Sequence, residues 1–320
     1  MTYGGRRENA PVRRALLTAF VGAAVLATSG CSVGSPAGAP AGSPAPAATS
    51  RDTASVAEPS TSASPSPGMS AAGVPRFQHV VIVVEENHGT AEAMGMRYLA
   101  ELRRTGAVFP QSHGVSHPSE PNYLALWSGS THGVTSDACP IDLGAAPSLG
   151  SQLLAAGDTV AAYAQGLPSA GSTACSAGPY ARKHDPLADF SATAGAAHDL
   201  PFSAFPSDYD RLPSVSFVAP DLDHDAHDGT LATADDWLRG NLGGYATWAA
   251  THDSLLIVTF DEEEGGAASN RILTVFSGAH VRPGTSSERM DHVNVLHTIE
   301  SSFGLPSLGA TAAPITDIWQ

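Results

Sequence analysis

The stretch Gln-His-Val-Val-Ile-Val-Val at residues 78–84 decides the fold class. Five β-branched residues, from Val80 to Val84, follow one another with no polar residue between them. A strand with one solvent-exposed face alternates apolar and polar residues, whereas a strand buried on both faces is apolar throughout. The run therefore predicts a buried central strand, of the kind found in a parallel sheet with helices on both sides.

Further apolar runs extend this pattern along the chain. They predict strands at 159–163, 214–218, 254–260 and 272–276, and helices at 91–104, 149–156, 235–250 and 291–303. Strands that alternate with helices predict an α/β fold, here a three-layer sandwich with a mostly parallel central sheet. The segment 165–212 is irregular and rich in Pro, Gly and Ala, so we expect it to fold over the sheet edge or to form part of a substrate lid.

Polar side chains directly follow three of the predicted strands. Glu86 and Asn87 follow the first, the sequence Asp-His-Asp-Ala-His-Asp occupies 223–228, and Asp261 and Glu262 follow the strand at 254–260. The carboxyl ends of parallel strands share one edge of a sheet, which is its usual ligand-binding side. Carboxylate and amide oxygens suit a divalent cation, whose identity the sequence leaves open. The alternative interpretation is structural: Asn87 caps a helix, and the acidic residues form solvated turns.

A hydroxyl nucleophile is predicted within the sequence Ser-His-Pro-Ser-Glu-Pro-Asn-Tyr at 116–123. Pro121 is favoured in the first turn of a helix, which places Ser119 at or just before a helix N-terminus. Free backbone N–H groups at such a terminus bind anions, phosphate among them. Three imidazoles compete for the role of proton donor: His117, His227 and His292.

The first 75 residues have the composition of an export signal followed by a tether. A basic segment and an apolar run precede Cys31, which predicts a signal peptide over residues 1–31. Small residues directly before Cys31 are typical of a lipobox whose Cys is lipidated, and the alternative is an ordinary signal peptide with an incidental Cys. Residues 32–75 are almost entirely Ala, Ser, Pro, Gly and Thr, which predicts a disordered tether. We therefore expect an exported protein, secreted or held at the cell surface as a lipoprotein, with one folded domain over 76–320.

Charge and cysteine content restrict the partners and the compartment. The net charge of −15 argues against nucleic acid as a partner, since proteins that bind it are usually basic. We expect the protein to contact a membrane only through the lipid anchor. We also expect it to be a monomer. Apart from Cys31, the chain contains Cys139 and Cys175. In an exported protein such a pair predicts one disulfide, with two unrelated buried thiols as the alternative.

Five short motifs in the same order resemble the bacterial phosphoesterase family, which belongs to the alkaline phosphatase-like superfamily. This family includes secreted acid phosphatases and phospholipases C. The motifs are Val-Val-Ile-Val-Val-Glu-Glu-Asn at 80–87, His-Pro-Ser-Glu-Pro-Asn-Tyr at 117–123, Asp-His-Asp-Ala-His-Asp-Gly at 223–229, Thr-Phe-Asp-Glu at 259–262 and Asp-His at 291–292. The resemblance implies that 76–320 is a phosphoesterase catalytic domain with an alkaline phosphatase-like fold.

The resemblance also implies roles for individual residues. Ser119 matches the nucleophile, and Asn122 matches a residue that contacts the phosphoryl oxygens. Members of the phospholipase C branch usually have Arg where this chain has Tyr123, and this departure favours the compact phosphomonoesterase branch, which includes phosphatases of phosphoinositides. The implied metal ligands are Glu86, Asn87, Ser119, Asp261 and Glu262.

The resulting hypothesis is an exported, metal-dependent phosphomonoesterase that resembles acid phosphatases and works through a phosphoserine intermediate. Its substrate would be a phosphorylated small molecule or a phosphoinositide. One alternative is a phosphodiesterase similar to phospholipase C. The other is a lipoprotein that binds a phosphorylated ligand without cleaving it.

Overall fold

The computed structural model describes residues 68, 70, 72–266 and 268–320. The predicted signal peptide, Cys31 and nearly all of the predicted tether lie outside these residues. Val74, two residues before the predicted start of the domain, is fully buried in the core. None of the helices in the described part of the chain is long and apolar enough to cross a membrane.

Strands and helices alternate along the described chain, as the apolar runs predict. The strands are β1 (His79–Glu85), β2 (Ala107–His113), β3 (Val160–Ala164), β4 (Ser176–Ala177), β5 (Tyr180–Ala181), β6 (Asp199–Pro201), β7 (Val215–Ala219), β8 (Ser254–Phe260), β9 (Arg271–Gly278), β10 (Gly284–Thr285) and β11 (Met290–Asp291). The α-helices are α1 (Thr90–Ala93), α2 (Arg97–Thr105), α3 (Glu120–Ser128), α4 (Leu149–Ala156), α5 (Leu231–Ala249) and α6 (His292–Phe303).

One large sheet forms the middle layer. Within the described residues its strand order is β10-β2-β9-β8-β1-β7-β3-β6, and β11 also pairs with β2. Strand β1 lies between β8 and β7 and is parallel to both, with Val81 opposite Leu256 and Ser216. Only β9 runs antiparallel to its two neighbours, β2 and β8. The prediction of a mostly parallel sheet is confirmed.

The two faces of β1 pack into two separate hydrophobic cores. Val80, Ile82 and Val84 face a core that also contains side chains of α3, α4 and α6. Val81 and Val83 face a second core, shared with α2 and α5. Each such fully buried aliphatic side chain contributes roughly 1.5–3 kcal/mol. The absence of alternation in residues 80–84 therefore has its expected cause, and the three-layer α/β sandwich is confirmed.

The helix predicted over 91–104 is two helices in the structure. The chain breaks at residues 94–96, and α2 then begins afresh at Arg97. The carboxylate of Asp235, on α5, accepts the N–H groups of Tyr98 at 2.8 Å and Leu99 at 3.0 Å. This contact satisfies two backbone donors at the start of α2 that a continuous helix would have bonded internally. The break depends on a residue far away in the sequence, which explains why a local pattern missed it.

Two other segments differ from the sequence-based expectation. Strand β2 was not predicted, because Pro110, Gln111 and Ser112 interrupt its apolar pattern, and the register shifts between Phe109 and Ser112. The irregular segment 165–212 contributes the edge strand β6. The segment therefore folds at the sheet edge, which is one of its two expected placements. It also contains a 3-10 turn, Arg182–His184, which reaches the candidate site.

A disulfide joins Cys139 to Cys175, with their Cα atoms 5.8 Å apart. The predicted pairing is therefore confirmed for this structure. The bond ties the loop after α3 to the start of the 165–212 segment, so it links two irregular regions that border the candidate site.

Candidate active site

Ser119 lies at the N-terminus of α3, where the position of Pro121 predicted it. Its side chain makes no capping bond to its own helix. The hydroxyl Oγ instead donates to Glu86 Oε2 at 3.0 Å, and this bond is fully buried. Because the Ser119 hydroxyl bonds to a carboxylate outside its own helix, its direction is fixed. The geometry suits a nucleophile.

Glu86 is the centre of a buried hydrogen-bond cluster. Besides Ser119, its carboxylate accepts the hydroxyl of Tyr123, and His184 Nε2 lies 3.3 Å from Oε2. Burial alone would raise the pKa of Glu86, but the adjacent His184 lowers it below its usual value. Glu86 is therefore an ionised carboxylate inside the protein.

His184 supplies the positive charge that balances this carboxylate. Its ring stacks on Tyr123 with centroids 5.1 Å apart, and its Nδ1 lies 3.0 Å from Asp225 Oδ2. Burial alone would lower the pKa of His184, but Glu86 and Asp225 together raise it well above its ordinary value. Sequence reasoning missed His184, because a single His in an irregular segment carries no local signal.

Asp261 and Glu262 lie beside Glu86, at the carboxyl end of the neighbouring strand β8. Asp261 Oδ1 accepts the backbone N–H of Asn87 at 2.9 Å, and its Oδ2 is buried without a partner. Burial, and then the charge of Glu86, raise the pKa of Asp261 well above its usual value. Glu262 pairs with His117, while burial raises the pKa of this carboxyl to about 7.

The oxygens at this site suit a divalent cation. Three carboxylates, a hydroxyl and Asn87 belong to elements that meet at one sheet edge, and hard cations prefer oxygen ligands. The buried Oδ2 of Asp261 has no hydrogen-bond partner, and a bare carboxylate oxygen in the interior is costly unless a proton or a cation compensates it. In the described residues, no three His, Cys, Asp or Glu side chains already stand in ligand geometry. The chemistry of this donor set therefore fits a divalent cation.

Asn122 supports the loop before Ser119. Its Oδ1 accepts the N–H groups of Val115 at 2.8 Å and Ser116 at 3.0 Å. Its Nδ2 donates to the carbonyl oxygens of Ser116 and Pro118 at 3.1 and 3.2 Å. Both amide hydrogens are thus directed at the backbone of this loop. Asn122 therefore holds this loop together, and the contact with phosphoryl oxygens that the resemblance implies stays a prediction.

The anion-binding groups at the start of α3 contact a carboxylate of the protein itself. Asp137 Oδ1 accepts the backbone N–H of Glu120 at 3.0 Å. Its other oxygen accepts from Lys183 Nζ at 2.9 Å. Sequence reasoning selected neither Asp137 nor Lys183, since they come from two loops with no motif of their own.

The three candidate proton donors have different surroundings. His117 contacts Glu262, and its side chain is 31% exposed. His227 Nδ1 lies 2.8 Å from Asp228 Oδ1, and its Nε2 lies 3.2 Å from Lys183 Nζ. His292 is buried beneath the site, where its Nε2–H donates to the carbonyl oxygen of Asp261 at 2.7 Å.

A cavity of about 490 Å³ opens over the strand ends. Residues from all three polar clusters predicted at strand ends line it, including Asn87, His227 and Glu262. The expected convergence of these clusters at one sheet edge is therefore observed. The cavity is polar and open to solvent.

Comparisons with known proteins identify the family of this chain. A model of the phosphoesterase family matches residues 94–306. A phosphatidylinositol-3-phosphatase of Mycobacterium tuberculosis is 51% identical over 262 residues, which cover 80% of this chain and 87% of that protein. A phosphate-repressible acid phosphatase of Penicillium chrysogenum is 30% identical over 73% of this chain, which spans 60% of that longer protein.

Solved structures with low sequence identity share the fold. A Vibrio parahaemolyticus protein of the alkaline phosphatase superfamily superposes with a TM-score of 0.52 at 13% identity, over 74% of this chain and 68% of that chain. Murine ectonucleotide pyrophosphatase/phosphodiesterase 5 gives 0.51 at 12% identity, over 75% of this chain and all of that chain. The family match and the 51% identical bacterial relative show that the chain belongs to the phosphoesterase family of hydrolytic enzymes.

Proposed function

We propose that this chain is an exported, metal-dependent phosphomonoesterase that forms a phosphoserine intermediate at Ser119. The observation that carries the proposal is the buried hydrogen bond from Ser119 Oγ to Glu86 Oε2, at the head of α3 and beside Asp261. It fixes the direction of a hydroxyl that has no structural task in its own helix.

The protein's own residues orient the nucleophile. Glu86 accepts the hydroxyl hydrogen of Ser119, and Tyr123 and His184 hold Glu86 in place. Oγ forms a bond to phosphorus while the ester P–O bond breaks and the leaving alkoxide takes up a proton. Water then cleaves the phosphoserine, which releases phosphate and restores the hydroxyl.

A divalent cation fits this site through Glu86, Asn87, Ser119, Asp261 and Glu262. When bound, such an ion lowers the pKa of a coordinated hydroxyl and offsets charge that develops on phosphoryl oxygens. The bond from His292 to the Asp261 carbonyl fixes the backbone at this ligand, so His292 is a positioning residue.

His117 is the imidazole best placed to protonate the leaving group. It is partly exposed at the site and paired with Glu262, a carboxylate that orients the ring. His292 is enclosed, and His227 Nε2 receives a hydrogen bond from Lys183. These surroundings support His117 over the other two imidazoles as the proton donor.

A phosphoinositide is our proposed substrate class. The support is the name of the 51% identical mycobacterial relative, a phosphatidylinositol-3-phosphatase. Export follows from the predicted signal peptide over 1–31, with lipidation of Cys31 as the predicted anchor.

Substitution of the nucleophile tests the proposal. We expect Ser119→Ala to abolish hydrolysis of p-nitrophenyl phosphate, and a chelator to do the same to the wild type until a divalent cation is restored. Ser128→Ala is the matched control, since Ser128 is a buried serine on the same helix that bonds only to backbone carbonyls and to His132. The control should keep most of the activity.

Two substrates separate the rival functions. A phosphomonoesterase cleaves p-nitrophenyl phosphate faster than bis-p-nitrophenyl phosphate, and a phospholipase C-like phosphodiesterase shows the reverse order. If Ser119→Ala retains near-normal rates, the nucleophile assignment is wrong. If the wild type binds phosphate but cleaves neither ester with any divalent cation, the chain is a binding protein.

A further inference from the structure

Lys183 is the only lysine among the 320 residues of the chain, whereas the other basic side chains are arginine or histidine. It follows Arg182 in the 3-10 turn Arg182–His184 and precedes the histidine that contacts Glu86. The side chain is mostly buried, at 17% exposure. A lysine loses much side-chain entropy when it is buried, so a favourable contact must offset this loss.

Two hydrogen bonds fix the ammonium group near Ser119. Lys183 Nζ lies 2.9 Å from Asp137 Oδ2, and the other oxygen of Asp137 accepts the N–H of Glu120, the residue after Ser119. The carboxylate thus connects the ammonium to the first backbone donor of α3. Asp137 thus binds an ammonium group and a backbone N–H at a helix start. Phosphoryl oxygens in proteins accept hydrogen bonds from both kinds of donor.

The second bond of Lys183 determines the state of His227. An ammonium can only donate, so His227 Nε2, at 3.2 Å, must be the acceptor and carries no hydrogen. His227 Nδ1 then donates to Asp228 Oδ1 at 2.8 Å. In this arrangement the His227 ring holds the ammonium of Lys183 in place by accepting one of its hydrogens.

The ammonium remains charged at this position. Burial alone would lower the pKa of Lys183, but its hydrogen bond to Asp137 and the charge of Glu86 raise the pKa above its ordinary value. A lysine of this kind is a poor proton donor at neutral pH and a good fixed positive charge. Its interaction with Glu86 also shows that it lies within electrostatic reach of the carboxylate that orients Ser119.

We propose that Lys183 binds the phosphoryl group of the substrate and selects dianionic monoesters over monoanionic diesters. On substrate binding, a phosphoryl oxygen replaces Asp137 as the acceptor of the ammonium N–H. A monoester has one more negative charge than a diester for this ammonium to stabilise. The inference rests on the proposed phosphomonoesterase function and adds the residue that determines its specificity.

Kinetics on paired substrates test this role. We expect Lys183→Gln to lower kcat/KM for p-nitrophenyl phosphate by about 10²–10³-fold, as the loss of one preorganised donor does elsewhere. For bis-p-nitrophenyl phosphate we expect a loss of at most about 10-fold. Lys183→Arg, which keeps the charge, should recover part of the monoester rate. Arg211→Gln, at an exposed arginine of the turn Tyr209–Arg211, is the matched control and should match the wild type.

The single lysine permits a second test that needs no turnover. The amines of the chain that trinitrobenzenesulfonate can modify are Lys183 and the terminal amine, and peptide mass spectrometry distinguishes the two. We expect inorganic phosphate to slow the modification of Lys183 while the terminal amine reacts at an unchanged rate. Dimethyl phosphate, a monoanion, should protect far less.

The outcomes distinguish the two proposals. Equal losses on monoester and diester, together with no protection by phosphate, would make Lys183 a structural residue that only holds Asp137 and His227. Wild-type protein that cleaves neither ester would overturn the proposed function. In that case phosphate protection of Lys183 would still decide whether it binds phosphoryl groups.

Discussion

The bond between Asp235 and the start of α2 offers a sharp test of how the helical layer is assembled. Asp235 lies on α5 and is 5% exposed. Its two carboxylate oxygens accept the N–H groups of Tyr98 and Leu99, at 2.8 and 3.0 Å. Asp235→Ala removes both acceptors, whereas Asp235→Asn retains one oxygen.

The expected cost follows from these two bonds. Loss of a side-chain cap costs about 0.5–2 kcal/mol, and loss of negative charge at a helix N-terminus costs about 0.3–1 kcal/mol more. A second buried N–H without a partner adds about 1 kcal/mol or more. We therefore expect Asp235→Ala to lower the free energy of unfolding by roughly 2–4 kcal/mol, and Asp235→Asn by roughly 1–2 kcal/mol.

Urea unfolding followed by circular dichroism measures these differences. Asp236→Ala is the matched control, because Asp236 is the exposed neighbour on the same helix, and we expect a change within about 0.5 kcal/mol. Activity per folded molecule should be unchanged in all three variants, since α2 and α5 pack on the sheet face opposite to α3. Equal destabilisation by Asp235→Ala and Asp236→Ala would refute the capping explanation.

Two further predictions concern stability. Burial raises the pKa of Glu300 from 4.5 to about 8, and His297 Nε2 lies 3.7 Å from its carboxyl group. The stability that the protonated acid contributes is therefore complete below about pH 4.5 and is lost as pH rises through about 8. Glu300→Gln should therefore gain roughly 1–3 kcal/mol relative to wild type between pH 4.5 and 9, measured by urea unfolding, and a constant difference across that range would contradict the shift. Joint replacement of Cys139 and Cys175 by Ser opens a loop with a sequence separation of 36, which should cost about 2–4 kcal/mol, and an unchanged melting temperature would show that the bond adds no stability.

The strongest local patterns predicted the centre of the fold. Strand β8 has the bounds that its apolar run indicated, and β1 and β7 are displaced by one residue. These strands are buried on both faces, so burial imposes one uniform composition that is easily recognised. Strand β2 contains Pro110, Gln111 and Ser112, and its pairing with β9 and the short strands β10 and β11 places it in the sheet despite that composition.

The candidate site was predictable where its residues directly follow strands. Glu86, Asn87, Asp261 and Glu262 were found because parallel strands bring their carboxyl ends to one edge. His184 was missed, because its role comes from contacts with Glu86 and Asp225 that only the folded chain creates. The metal ligands and the catalytic roles remain predictions, which the substitutions above are designed to test.

The sequence by itself determined the α/β class, the location of Ser119 at the start of a helix and the strand ends that carry the acidic residues. Each of these follows from interactions between near neighbours in the chain: burial of a run, the fixed φ of Pro121, and the order of strand and loop. The tertiary structure decided which groups surround Ser119. His184 and Lys183 come from an irregular segment, and Asp137 accepts the first backbone N–H of α3. Such contacts join residues distant in sequence, and their energies depend on burial and charge that no local pattern records.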